Sequence, residues 1–108
     1  MDMKVSPTIE EGEALFDQGQ YFECHELLEE IWMKSKGNYK LLLQGLIQAA
    51  AGFHKLGAGE LEGAKKLFEQ ALQKLRIRTK DGELSGFKKK VLLKMKSVPR
   101  EGLEPTRP

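Results

Sequence analysis

The sequence is poor in the residues that usually announce a chemistry: one cysteine, two histidines, one tryptophan and four prolines in 108 residues. A lone Cys24 cannot close an internal disulfide, so the fold is no disulfide scaffold, and a cytoplasmic setting is the simplest expectation. The longest mostly apolar stretch, residues 41–53, is interrupted by Gln44 and Gln48 and falls short of the roughly 20 apolar residues of a bilayer-spanning helix. No charged-then-apolar leader precedes Pro7, and no membrane role is expected. Gly57-Ala58-Gly59 lacks both the Lys-Ser/Thr pair of a phosphate-binding loop and a preceding strand. Cys24 and His25 are sequence neighbours on a helix, pointing about 100° apart, and so form no nucleophilic dyad. Nothing calls for a cofactor.

What is present suits one small core. The chain is 40% hydrophobic and 31% charged, and its glycines fall between segments rather than in a low-complexity run. Thr8 before an acidic turn starts a first helix, which Gly19 ends; a second spans residues 21–36 and a third residues 39–56. After Gly59, the spacing of Leu61, Ala64, Phe68, Ala71, Leu72 and Leu75 predicts an amphipathic fourth helix. Asp81-Gly82 reads as a turn, and a fifth helix over residues 85–97 carries Phe87, Val91, Leu92 and Met95 on one side. No alternating strand pattern appears. The expectation is an all-α bundle of four to five helices in a single domain over residues 1–98, followed by a Pro/Gly-containing tail over residues 99–108.

Gly19, Tyr21, Cys24, Leu28 and Ile31 match Gly59, Leu61, Ala64, Phe68 and Ala71, each pair 40 positions apart. A glycine turn followed by bulky, small and large residues predicts helical-hairpin, tetratricopeptide-like packing, although that repeat has a period of roughly 34 residues. Gly45 and Gly52, seven apart on the third helix, leave a smooth strip for the close approach of another helix.

Charge is nearly balanced overall and uneven along the chain. Residues 1–64 hold five lysines against eleven acidic groups, a net −6, and residues 65–108 hold thirteen basic against five acidic groups, a net +8. The basic half raises the possibility of a nucleic-acid partner. Lys88, Lys89 and Lys90 fan through about 200° of a helix and have no aromatics interleaved for base stacking, so that reading ranks last and the lysines are expected as a solvated face.

The residues that do not fit an ordinary amphipathic pattern are polar. On the second helix, Glu29 falls between His25 and the apolar pair Phe22 and Met33, which predicts a desolvated carboxylate with His25 as its donor, both turned into the bundle. On the third, Gln44, Gln48 and Lys55 form a polar seam, and His54 falls among apolar positions. With Trp32 at the edge of the stripe, His25, Glu29, Gln44, Gln48 and His54 are candidates for a buried polar network or a ligand site. His25, Glu29 and His54 supply atoms for a metal or a hydrolase-type centre, but the segment is not the H-E-x-x-H zinc signature.

The segments Tyr21–Trp32, Gln44–Ala50 with His54, and Gly59–Ala64 resemble the domain-of-unknown-function 309 family of small bacterial and archaeal proteins, over about residues 14–75. The chain departs from that pattern at Cys24, where the family tends to have Ala, and at Glu60, where Asn is common. The resemblance implies a compact helical bundle whose signature includes His25, Glu29, Trp32, Gln44, Gln48 and His54, and it implies no activity. The functional expectation is a non-enzymatic binding module for a protein, peptide or small molecule, ahead of the metal-centred and nucleic-acid readings; the oligomeric state is left open.

Overall fold

The computed structural model describes residues 6–98. The expectation for the tail at residues 99–108 lies outside that range. Five helices follow in order: α1 (Ile9–Asp17), α2 (Tyr21–Met33), α3 (Gly37–Gly57), α4 (Leu61–Leu75) and α5 (Gly82–Lys96), with no strand among the described residues. The protein is an all-α bundle.

Local sequence sets the boundaries. Thr8 accepts the Glu11 backbone N–H through its hydroxyl at 3.1 Å while the Glu11 carboxylate accepts the Thr8 backbone N–H at 2.9 Å, a reciprocal cap that fixes the start of α1. α2 stops at Met33, before the expected end at residue 36. The Ser35 hydroxyl donates to the Ile31 carbonyl at 2.7 Å, and the Lys34 and Ser35 backbone N–H groups close the end on Ile31 and Trp32. At the other end of the chain, Asp81-Gly82 is no free turn. The Asp81 carboxylate accepts the Leu84 backbone N–H at 2.9 Å, so α5 begins at Gly82, three residues before the expected Ser85.

The 40-residue correspondence extends to the backbone. Gly19 and Gly59 both take positive φ, 76° and 81°, the left-handed turn that a side chain would strain. Around them the same bonds recur: Gly19 N–H to Phe16 and Gly59 N–H to Leu56, Gln20 N–H to Leu15 and Glu60 N–H to Lys55, Cys24 N–H to Gln20 and Ala64 N–H to Glu60. Side-chain packing repeats as well. A methyl group on Gly12 would meet Leu28 at 2.8 Å, and one on Gly52, 40 residues on, would meet Phe68 at 2.7 Å. Each hairpin, α1–α2 and α3–α4, therefore closes by seating one large side chain on a glycine.

α3 is the central element, packed against α2 on one side and α4 on the other. Gly45 and Gly52 are the strip on which α4 lies. A methyl on Gly45 would stand 2.9 Å from Lys74 Cβ and 3.3 Å from the Ala71 carbonyl oxygen. Buried residues from all five helices merge into one core whose aromatic centre is Phe16, edge-on to Tyr21, Phe53 and Phe87 at 5.3, 5.6 and 5.7 Å between ring centroids. α5 docks through Leu84, Phe87 and Val91, with Leu92 and Met95 packed against the core. Its lysines are not simply a solvated face. Lys90 bridges Glu13 at 2.7 Å and Asp17 at 2.9 Å, Lys88 donates to the Ile77 carbonyl at 2.9 Å, and Lys94 lies 5.9 Å over the Phe53 ring. Lys90 thus ties the basic end of the chain to acidic α1.

Candidate functional site: a cleft between α2 and α3

Because α2 and α3 pack along their lengths, the polar residues that each carries off its apolar stripe face a common space. That space is a cleft of about 240 Å³ lined by His25, Glu29 and Trp32 from α2, Gln44, Ile47, Gln48 and Ala51 from α3, and Leu67 from α4. Five of the six singled-out residues meet there. His54 does not. It sits one turn beyond Ala51, beside the first turn of α2, exposed, with its ring 5.4 Å from that of Phe22.

The cleft is open, and the desolvation expected for Glu29 is not found: among the described residues no polar or charged residue is buried. Glu29 is 49% exposed, because Phe22 and Met33, expected to enclose it, themselves face outward at 46% and 71% exposure. His25 is its neighbour as expected, Nε2 at 3.7 Å from the Glu29 carboxylate, and is 26% exposed. This is an i, i+4 contact at the cleft wall rather than an internal ion pair.

Gln48 is anchored from α4. Lys74 donates to its Oε1 at 3.0 Å, and its Nε2 donates to Gln70 Oε1 at 3.4 Å. Trp32 carries the Lys40 ammonium over its ring at 4.3 Å from the centroid, a cation–π contact that fixes the indole against the first turns of α3. Its Nε1–H is buried and has no acceptor. Among the described residues, no three His, Cys, Asp or Glu side chains are grouped to hold a metal ion, so His25, Glu29 and His54 are not brought together as a metal centre. Cys24 lies fully buried behind the α2 wall, where burial pushes its thiol pKa up to about 12 and makes it an inert packing group.

The sequence reading missed Lys40, Ile47, Ala51, Leu67, Gln70 and Lys74. Lys40, Gln44, Gln48 and Ala51 follow one another at four-, four- and three-residue spacing, with Ile47 three after Gln44, so the seam on α3 was available to extend back to Lys40 and to take in Ile47 and Ala51. The contribution of α4 follows only once α4 is placed on the Gly45–Gly52 strip.

No helix among the described residues is long and apolar enough to cross a membrane. An uncharacterised protein of Aquifex aeolicus (strain VF5) is 31% identical to this chain over 65 residues, which cover 59% of this chain and 20% of that protein. This chain therefore spans about a fifth of the length of the relative it matches. No solved structure matches the chain. The family model described as domain of unknown function (DUF309) matches residues 9–67, a span that takes in α1, α2, α3, the Gly59 turn and every cleft-lining residue, and the chain belongs to that family.

Proposed function

We propose that the protein is a cytoplasmic, non-enzymatic binding module in which two helical hairpins, stacked in a tetratricopeptide-like manner, present the α2–α3 cleft to an acidic, extended peptide segment of a partner protein. The observation that carries this reading is an open cleft lined by His25, Trp32, Gln44 and Gln48, behind whose surface the Trp32 Nε1–H is buried without an acceptor. A buried donor left unpaired costs about 1–3 kcal/mol, so a small turn of the indole that meets a ligand oxygen in the cleft is favoured. The neighbouring groups have the same preference. The ammonium groups of Lys40 and Lys74 stand beside Trp32 and Gln48, and the Gln44 amide and His25 add further donors. The carboxylate of Glu29 is faced by His25. Ile47, Ala51 and Leu67 supply an apolar floor, and about 240 Å³ accommodates one aliphatic side chain between acidic neighbours.

The test is a calorimetric titration of an acetylated, amidated Leu-Glu-Leu-Glu peptide against its Leu-Lys-Leu-Lys counterpart. Binding of the acidic peptide, lost in Gln44→Ala and in Lys40→Glu, supports the reading. Equal binding of both peptides, or of neither, contradicts it.

A further inference from the structure

α2 and α4 hold equivalent places 40 residues apart, and Tyr21, His25, Glu29 and Trp32 of α2 correspond to Leu61, Lys65, Glu69 and Leu72 of α4. Each set lies within about 80° of its helix surface. In α2 this face lies against α3, with Tyr21 stacked on Phe53 at 5.2 Å and Trp32 under Lys40. In α4 the equivalent leucines lack such cover. α5, the next helix in the chain, reaches across to α1, with Phe87 on Phe16 and Lys90 on Glu13 and Asp17. Leu61 and Leu72 are left 42% and 41% exposed, whereas Tyr21 and Trp32 pack on the core. Among the described residues Lys65 and Glu69 form no ion pair.

We infer that this face of α4 is a self-association surface, covered by the same face of a second copy of the chain about a two-fold axis. The order Leu61, Lys65, Glu69, Leu72 is its own electrostatic complement when read backwards. A two-fold axis midway between Lys65 and Glu69 sets Lys65 of each copy opposite Glu69 of the other. It also brings Leu61 of each copy to within about one residue's rise, ~1.5 Å along the helix, of the other copy's Leu72. Two charge pairs and four leucines then meet in one isologous contact. One helix a side is a small interface, so the dimer is weak, with a dissociation constant on the order of 10–100 μM.

Sedimentation velocity of the full chain from about 10 μM to 1 mM spans that range. The wild type is expected to pass from monomer to dimer. Lys65→Glu and Glu69→Lys each place two like-charge pairs across the axis and weaken the dimer by about tenfold or more. The double variant Lys65→Glu/Glu69→Lys restores the pairs and with them the dimer. Circular dichroism melts of all variants should match the wild-type monomer, since Glu69 is exposed, Lys65 only half-buried, and neither is a core residue. A wild type that stays monomeric throughout, a dimer indifferent to both single reversals, or a double variant that does not recover overturns the inference.

Discussion

The two hairpins share a backbone and differ in chemistry. Gly19 and Gly59 turn alike, Cys24 and Ala64 are equally buried, and Leu28 and Phe68 each seat on a glycine, Gly12 and Gly52. Where the helices face away from their own hairpin the likeness thins to one pair, Glu29 and Glu69: His25 and Trp32 correspond to Lys65 and Leu72. Positions that close a hairpin are fixed by sterics. Positions on the outer face are free of that constraint, and there the first hairpin, with α3, builds a cleft.

The strongest way to break the comparison is to remove the large member of each pair. Phe68→Ala should cost about 3–5 kcal/mol and Leu28→Ala about 2–5 kcal/mol in urea unfolding. Phe68 is expected to be the more costly because its ring also packs edge-on against Phe53 at 4.8 Å. A cost below about 1 kcal/mol at either site would mean that its hairpin does not close as described.

Smaller effects are expected at the glycines, and they should differ. Gly45→Ala brings a methyl against Lys74 Cβ and the Ala71 backbone carbonyl, so α4 itself must shift, and a loss of about 1–3 kcal/mol follows. Gly12→Ala meets the Leu28 side chain at Cδ2 and Cγ and Leu27 at Cδ2, side chains rather than backbone, and alanine's helix propensity offsets that contact by about 1 kcal/mol, leaving a smaller loss than at Gly45. At the turns the two hairpins should agree. A methyl on Gly19 or Gly59 touches nothing within 4 Å, so each Ala substitution should cost only the left-handed backbone penalty, about 1–2 kcal/mol, equally in both. Unequal costs would show that the turns are not equivalent.

The smallest effect concerns the tie from α5 to α1. Lys90→Ala should lower stability by less than about 1 kcal/mol, because the ammonium is 40% exposed and screened, and the loss should shrink in high salt. Hydrogen bonds to Glu13 and then Asp17 raise the Lys90 pKa above its ordinary 10.5. A raised lysine pKa stabilises the folded state fully below the ordinary value, and the contribution fades as pH climbs through the raised one. The wild-type advantage over Lys90→Ala should therefore be constant from neutral pH to about 10 and decline on the alkaline side.

Most of the fold is legible in the sequence because periodic apolar residues and glycine punctuation are local signals. Leu61, Ala64, Phe68, Ala71 and Leu75 delimit α4 without reference to anything else, and the Gly45–Gly52 strip announces a close helix. The start of α5 is less legible: Asp81-Gly82 is a common turn pair, and only the bond from Asp81 to the Leu84 N–H makes it a cap. The cleft is half legible. Helical winding turns His25, Glu29 and Trp32 toward Gln44 and Gln48, but exposure depends on how closely α2 and α3 approach, which no spacing states. His54 winds to the apolar side of the seam, and α3 carries it past the cleft to meet Phe22 beside the start of α2.

Trp32 is the only tryptophan, so its indole N–H gives one resonance in a proton–nitrogen correlation spectrum. That resonance reports directly on the central claim, that a ligand in the cleft gives the buried indole N–H its acceptor. On titration with the acetylated Leu-Glu-Leu-Glu peptide, the account predicts a saturable downfield shift of the indole proton in the wild type and no shift in Gln44→Ala. An indole resonance that stays in place while the peptide saturates the protein elsewhere would contradict it.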